Sequence, residues 1–99
     1  MPYKNYQVYI LRCADGSFYT GTSSDLKRRI AEHERGVFPK NYTYTRRPVT
    51  LVWCETFPRP KDMMEAEKQI QSWSHGKKQA LIDGDIETLK KLAKKKFKK

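Results

Sequence analysis

The sequence predicts a single α/β (α+β) domain: a small, mainly antiparallel three-stranded sheet flanked by helices. Runs rich in β-formers predict strands at residues 6–12, 18–22 and 49–57. An Asp-Gly pair at residues 15–16 separates the first two runs, which is typical of a tight hairpin. Apolar residues recur at helical spacing between and after the strands. The 99 residues leave room for one domain, which we expect to span residues 1–99.

The chain is strongly basic. It has 21 Lys and Arg against 11 Asp and Glu, a formal net charge of +10. Such a surplus favours an anionic partner, and nucleic acid is the leading candidate. An RNA- or ribosome-associated basic protein is an alternative that rests on charge alone. Lysines dominate the C-terminus, where we assign Lys94 and Lys95 to nucleic-acid binding and expect residues 95–99 to fray.

Cysteine content and hydropathy argue against a secreted or membrane protein. Cys13 and Cys54 each lie in an apolar, strand-like run without a C-x-x-C motif, so we expect both to be small buried hydrophobes. A reducing, cytoplasmic location follows from this expectation. No stretch approaches the roughly 18 apolar residues that a membrane span needs. The first residues do not resemble a signal peptide.

The predicted hairpin carries two tyrosines. The period of two in a strand places Tyr9 on the face opposite to Val8 and Ile10. In the second strand, Tyr19 and Gly21 share a face. Tyr9 and Tyr19 therefore point to the same side of the hairpin if the strand register allows it.

A basic helix follows the hairpin directly. The serines at residues 23–24 are predicted N-caps, and Gly36 is predicted to end the helix. Arg29 and His33 are spaced i, i+4, which places a cation and an imidazole side by side at the edge of the hairpin surface. Arg28 competes with Arg29 for any functional role, and His33 could equally be a surface histidine.

The loop at residues 37–47 is both basic and aromatic. Tyr42, Arg46 and Arg47 give it the mixture that suits phosphate contact and base stacking, so we assign them to nucleic-acid binding. Its tyrosines could instead only pack the loop onto the sheet. The strand at 49–57 is the most apolar of the three, and we expect it to be central.

A second long helix is predicted over residues 60–75, ended by Gly76, and a short helix over 77–83 follows it. Four residues at helical spacing form the core stripe of the long helix: Met63, Ala66, Ile70 and Trp73. Glu67 falls next to this stripe and not on the opposite solvated face. Glu65 is its nearest rival for any role.

These segments together offer phenols, a guanidinium, an imidazole and a carboxylate, with no Ser or Cys in a recognisable triad setting. The set fits phosphodiester hydrolysis. A metal on a carboxylate stabilises the developing oxyanion, arginine binds phosphate oxygens, and a phenol or imidazole moves a proton. The same residues also occur in ordinary sheets and on solvated helix faces, so both interpretations stay open.

Four features in order resemble the GIY-YIG nuclease domain: QVY at residues 7–9, YTG at residues 19–21, DLKRRI at residues 25–30, and Glu67. The surrounding sequence is similar to the small stand-alone branch of that family. The resemblance covers nearly the whole chain. Gln and Val stand where the first motif has Gly and Ile, and Thr20 stands where the second has Ile.

The resemblance implies a role for each matching residue. Tyr9 activates the attacking water, Tyr19 orients water or phosphate, Gly21 leaves the site uncrowded, Arg29 clamps the scissile phosphate, His33 assists proton transfer, and Glu67 binds the metal. It further implies an endonuclease that hydrolyses DNA with one Mg²⁺ or Mn²⁺ ion, in DNA repair or processing. The alternative is a nucleic-acid-binding module that keeps the fold without cutting.

Overall fold

The structure, a computed structural model, describes residues 6–89 of the chain. Its strands are β1 (Tyr6–Arg12), β2 (Phe18–Ser23) and β3 (Thr50–Phe57), and its helices are α1 (Leu26–Arg35), α2 (Pro60–Gln71) and α3 (His75–Asp83). A 3₁₀ turn, Tyr44–Arg46, lies in the loop between α1 and β3. Both strand pairings are antiparallel, which confirms the predicted fold class.

β1 is the central strand, with β2 and β3 on its two sides. The prediction that the most apolar run is central was therefore wrong. Residues 8–11 of β1 are fully buried, because the strand has neighbours on both edges and helices on both faces. β3 pairs along one edge only, and both Leu51 and Cys54 on it are exposed. The expected burial thus holds for Cys13 but is wrong for Cys54, and both are free thiols.

Alternating side chains of β1 build two cores on opposite faces of the sheet, as the period of two predicts. On one face, Tyr9 packs with Leu26 and Ile30 of α1. On the other face, Val8 and Ile10 pack against α2 and α3. The predicted stripe of the long helix is confirmed in this second core by Met63, Ala66, Ile70 and Trp73.

The N-cap of α1 is Asp25, and the expectation of a serine cap was wrong. The Asp25 side chain accepts a hydrogen bond from the Arg28 backbone N–H at 3.3 Å. Ser23 instead accepts from the Asp25 N–H at 2.9 Å, so it supports the cap from outside the helix. Gly36 ends α1 in the left-handed conformation, with φ 71°, as predicted.

The break between the two predicted helices comes earlier than expected: α2 ends at Gln71 instead of residue 75, and α3 begins at His75 instead of residue 77. Two serines explain its position. The Ser72 hydroxyl donates to a carbonyl of the last turn of α2 at 2.6 Å. The Ser74 hydroxyl accepts from a backbone N–H in the first turn of α3 at 3.2 Å, which makes it an N-cap. Gly76 consequently lies inside α3, and the prediction that it ends a helix was wrong. Gly84 ends α3 as predicted.

Two predictions concern the C-terminus. Lys94 and Lys95, and the expected frayed tail at 95–99, lie outside the described residues. In the described part of the chain, no helix has the length and apolar character needed to cross a membrane.

Candidate functional site

The hairpin register brings the two predicted tyrosines together. Tyr9 lies opposite Gly21 and Leu11 opposite Tyr19, so both tyrosines face α1. Their ring centroids are 6.3 Å apart. A Cβ atom on Gly21 would lie 2.6 Å from the Tyr9 hydroxyl and 3.0 Å from the Tyr19 ring. Glycine at this position therefore leaves the space that the two phenols occupy.

α1 supplies the cation and the imidazole. His33 is 2 % exposed, not a surface residue, and its Nε2 lies 3.0 Å from the Tyr9 hydroxyl. Arg29 lies one turn earlier, where its guanidinium donates to the Thr22 carbonyl at 3.4 Å. Of the two competing arginines, Arg28 points to solvent, with a side chain 75 % exposed against 41 % for Arg29. The i, i+4 spacing thus places Arg29 and His33 beside Tyr9.

Burial keeps both titratable groups of this pair neutral near pH 7. Burial, and secondarily the neighbouring Tyr19, raise the pKa of Tyr9 to about 12, although Arg29 acts in the opposite direction. Burial lowers the pKa of His33 below its ordinary value, and the positive charge of Arg29 adds to this. The pair is therefore a neutral phenol hydrogen-bonded to a neutral imidazole.

Glu32 binds both arginines of α1. One carboxylate oxygen lies 3.2 Å from Arg28 Nε, and the other lies 3.3 Å from Arg29 Nε. The carboxylate therefore occupies a face of the Arg29 guanidinium that a phosphate could take. This ion pair was not predicted from the sequence.

The loop at 37–47 contributes two polar residues that sequence reasoning missed. Thr43, which is 1 % exposed, lies 2.8 Å from His33 Nδ1 through its hydroxyl. Asn41 accepts from the Thr43 hydroxyl at 2.9 Å and donates to the Tyr19 hydroxyl at 3.3 Å. An Asn two residues before a Thr is typical of an Asx turn, the one signal that could have drawn attention to the pair.

The residues that were assigned to nucleic acid in this loop mainly hold the loop in place. The Arg46 guanidinium stacks on the Tyr42 ring at 3.8 Å and pairs with Asp15 at 3.1 Å. Tyr42 in turn stacks on Tyr19, with centroids 6.3 Å apart. Arg47 donates to two backbone carbonyls. Tyr42 is 42 % exposed, so it keeps a free surface beside the tyrosine pair.

Glu67 approaches from the opposite face of the sheet. α2 packs on the face that Val8 and Ile10 share, and Glu67 lies on α2 beside the edge strand β2. Gln71 fixes it there, because its amide donates to Glu67 Oε2 at 2.9 Å and to the Thr20 carbonyl of β2 at 3.3 Å. The charge of Glu67 also raises the pKa of Tyr9, although it is the smallest of the influences on that pKa.

Among the described residues, the site offers a metal ion a single carboxylate, that of Glu67. Within residues 6–89, no group of three or more His, Cys, Asp or Glu side chains could hold a metal. Glu67 Oε1 makes no hydrogen bond in this part of the chain, so it is available to a cation. A single carboxylate completed by water and substrate oxygens suits Mg²⁺, which keeps several waters. The residues therefore fit a site that is completed by substrate.

The chain matches the family model of the GIY-YIG catalytic domain over residues 5–80. It is 39% identical to a UPF0213 protein of Bacillus pumilus over 79 residues, which are 80% of each chain. It is 42% identical to a UPF0213 protein of Halobacterium salinarum over 77 residues, 78% of this chain and 99% of that one.

Two solved structures, both from solution NMR, are similar. The UPF0213 protein of Bacillus halodurans has a TM-score of 0.53 and 40% identity, covering 80% of this chain and 83% of that one. A protein of E. faecalis has a TM-score of 0.57 and 30% identity, covering 84% and 88%. The order of the motifs, the antiparallel sheet and these matches lead to one conclusion: the chain belongs to the GIY-YIG nuclease domain family.

Proposed function

We propose that the protein is an endonuclease that hydrolyses DNA phosphodiester bonds with one Mg²⁺ or Mn²⁺ ion, in DNA repair or processing. One observation carries the proposal: Glu67 on α2 lies close enough to Tyr9, on the other face of the sheet, for its charge to raise the pKa of Tyr9. Tyr9, Arg29 and His33 lie on the α1 face of the sheet, and Glu67 lies on α2, which packs on the opposite face.

Each group has a chemical task in this proposal. The Arg29 guanidinium binds two oxygens of the scissile phosphate, for which its planar fork is suited. Glu67 would hold the metal, which when bound supplies stabilisation of the negative charge on the phosphate. Tyr9, which is fully buried in this state, contacts the attacking water once bound substrate has opened the site, and Tyr19 positions that water or the phosphate. Gly21 leaves the room that these atoms need.

Tyr9 acts as a relay for protons and not as a preformed phenolate. With a pKa of about 12, only about one Tyr9 in 10⁵ would be ionised at pH 7. His33 Nε2, 3.0 Å from the phenol, can take the phenolic proton as the phenol takes one from water, so no free phenolate has to form. The proton therefore ends on the imidazole. Burial and Arg29 oppose the imidazolium that results, so the developing negative charge on the phosphate must offset this cost.

The basic surface around the site would bind the DNA backbone. Lys61 and Lys68 line a shallow groove on α2 together with Glu67. Tyr42 offers an exposed ring beside the tyrosine pair, and we propose Lys94 and Lys95 as further phosphate contacts. The two free thiols fit a reducing compartment such as the cytoplasm.

A second function is favoured by a different observation. Tyr9 is fully buried and Glu32 pairs with Arg29, so the reactive groups are covered in this state. A module that binds nucleic acid without cutting it would tolerate such a cover. It would not cleave DNA, and its affinity would depend on salt: the logarithm of the binding constant would fall with the logarithm of the salt concentration, with a slope of about −0.9 per phosphate neutralised on duplex DNA.

A cleavage screen separates the two functions. Branched, flapped and linear DNA are incubated with the protein and Mg²⁺ or Mn²⁺, alongside Glu67→Gln and its matched control Glu65→Gln. We expect wild-type and Glu65→Gln proteins to nick at least one substrate, and Glu67→Gln to lose about 10²-fold or more of the rate. Equal cleavage by Glu67→Gln would exclude the assigned site, and binding without cleavage by the wild-type protein would support the module.

A further inference from the structure

We propose that Thr43 and Asn41 are positioning residues that fix the tautomer of His33, with the proton on Nδ1 and Nε2 left to accept from Tyr9. The catalytic consequence rests on the proposed function, whereas the tautomer itself does not. These two residues belong to the loop between α1 and β3, and neither was among the residues that the sequence analysis assigned to the site.

The direction of every hydrogen bond follows from one backbone group. The Thr43 backbone N–H lies 3.0 Å from Asn41 Oδ1, and a backbone N–H can only donate. The amide oxygen of Asn41 is thereby identified, and it can only accept. The Thr43 hydroxyl, 2.9 Å from the same oxygen, must therefore donate its one proton to Asn41.

The Thr43 hydroxyl then has only lone pairs to offer His33. Nδ1 lies 2.8 Å from this oxygen, so Nδ1 must carry a proton and donate it. A neutral imidazole has one N–H, so its Nε2 is an acceptor. The Tyr9 hydroxyl, 3.0 Å from Nε2, is the donor of that bond.

Because His33 and Thr43 are buried, their hydrogen bond has no ready replacement. His33 and Thr43 are 2 % and 1 % exposed, so water cannot replace the partner of Nδ1 if it is lost. With the proton on Nε2, the lone pair of Nδ1 would face the lone pairs of the Thr43 hydroxyl. The charged groups nearest the ring are Arg29 and Glu32, and the lowered pKa of His33 agrees with a neutral ring near pH 7.

In the proposed reaction this tautomer sets the direction of proton flow. As the water oxygen bonds to phosphorus, its proton passes to the Tyr9 oxygen, and the Tyr9 proton passes to His33 Nε2. The bond from phosphorus to the leaving oxygen breaks, and that oxygen takes a proton from solvent. The opposite tautomer would present an N–H to Tyr9 and could accept nothing from it.

The second histidine of the chain is an internal control. His75 Nε2 lies 3.1 Å from the Gly16 carbonyl, which can only accept, so His75 must carry its proton on Nε2. The chain contains two histidines, so ¹⁵N NMR of the imidazole nitrogens at pH 8 distinguishes them cleanly. We expect a protonated Nδ1 for His33 and a protonated Nε2 for His75. A protonated Nε2 on His33 in the wild-type protein would overturn the inference.

Variants test the role of the loop pair. Thr43→Val should move His33 toward a mixture of tautomers, whereas Thr43→Ser keeps the hydroxyl and should preserve the wild-type spectrum. An unchanged His33 spectrum in folded Thr43→Val protein would also overturn the inference. If Thr43→Val does not fold, Asn41→Leu is the alternative, because it frees the Thr43 hydroxyl proton and should produce the same mixture of tautomers. An unchanged His33 spectrum in Asn41→Leu would count equally against the inference.

Activity distinguishes this inference from the proposed function. Thr43→Val should slow cleavage by about 10- to 100-fold, part of the roughly 10²- to 10⁴-fold that positioned proton transfer contributes. If His33 shows the expected tautomer but the wild-type protein cuts nothing, the proposed function fails and the assigned tautomer stands. If cleavage is robust but the tautomer is the opposite one, only the positioning role fails.

Discussion

The replacement of Gly21 by alanine tests whether the tyrosine pair is as tightly enclosed as the structure shows. The added Cβ would lie 2.6 Å from the Tyr9 hydroxyl and 2.7 Å from the ring carbon that bears it. Both are well inside ordinary contact distance, so the ring must move. Tyr9 is fully buried and bonded to His33, so it has no open side to move toward.

The magnitude follows from the cost of overpacking a close-packed site. Forcing an extra methyl group into such a site costs typically about 1–3 kcal/mol. For a domain of this size, 1 kcal/mol corresponds to roughly 4–8 °C in Tm. Gly21→Ala should therefore lower Tm by roughly 4–24 °C, the product of these two ranges.

Gly76→Ala is the matched control, because it makes the same chemical change in open space. Nothing lies within 4 Å of a Cβ at Gly76, and the residue is inside α3. Alanine there should raise the free energy of unfolding by up to about 1 kcal/mol. Thermal and urea unfolding of the three proteins, followed by circular dichroism, measure both effects. A Gly21→Ala protein as stable as Gly76→Ala would refute the enclosed geometry.

Three further predictions concern charge and pH. Glu32→Gln should tighten DNA affinity by about 1.4- to 5-fold, because it releases Arg29 from an ion pair of the kind worth about 0.2–1 kcal/mol. Glu34→Gln removes the same charge elsewhere on α1, and an equal gain in affinity there would show that only net charge matters. The pKa of His33 is lowered in the folded state, so the unfolded chain binds the proton more readily and the free energy of unfolding should fall as pH drops below about 6.5. Urea unfolding at a series of pH values should show a shallower fall for His33→Gln than for the wild-type protein, and parallel plots of unfolding free energy against pH for the two proteins would contradict this. Replacing Lys94 and Lys95 by alanine should reduce the salt slope of DNA binding by about 0.9 for each phosphate that is no longer neutralised, and an unchanged slope would exclude both lysines.

The element types were largely predictable, but the order of strands in the sheet was not. Alternation in β1 correctly separated Tyr9 from Val8 and Ile10, since side-chain direction follows local geometry. Centrality depends instead on which strands pair with which, a long-range property. β3 has the more apolar composition, yet it lies at the edge with Leu51 exposed.

The candidate site likewise has a part that could be predicted from the sequence and a part that could not. The i, i+4 spacing of Arg29 and His33 on α1 placed them together, because helical spacing is local. The positions of Thr43 and Asn41 depend on how a loop folds back over the sheet, which no periodicity describes. The position of Glu67 beside β2 likewise depends on how α2 packs across the opposite face of the sheet.

The most direct test of the central claim is the Mg²⁺-dependent cleavage rate of Arg29→Ala compared with Arg28→Ala on the best substrate from the screen. The two residues are adjacent on α1 and both contact Glu32, but only Arg29 influences Tyr9. If the α1 face and Glu67 form one active site, Arg29→Ala should lose about 10²-fold or more of the rate. Arg28→Ala should stay close to the wild-type rate. Equal rates for the two variants would contradict a catalytic site at this edge of the sheet.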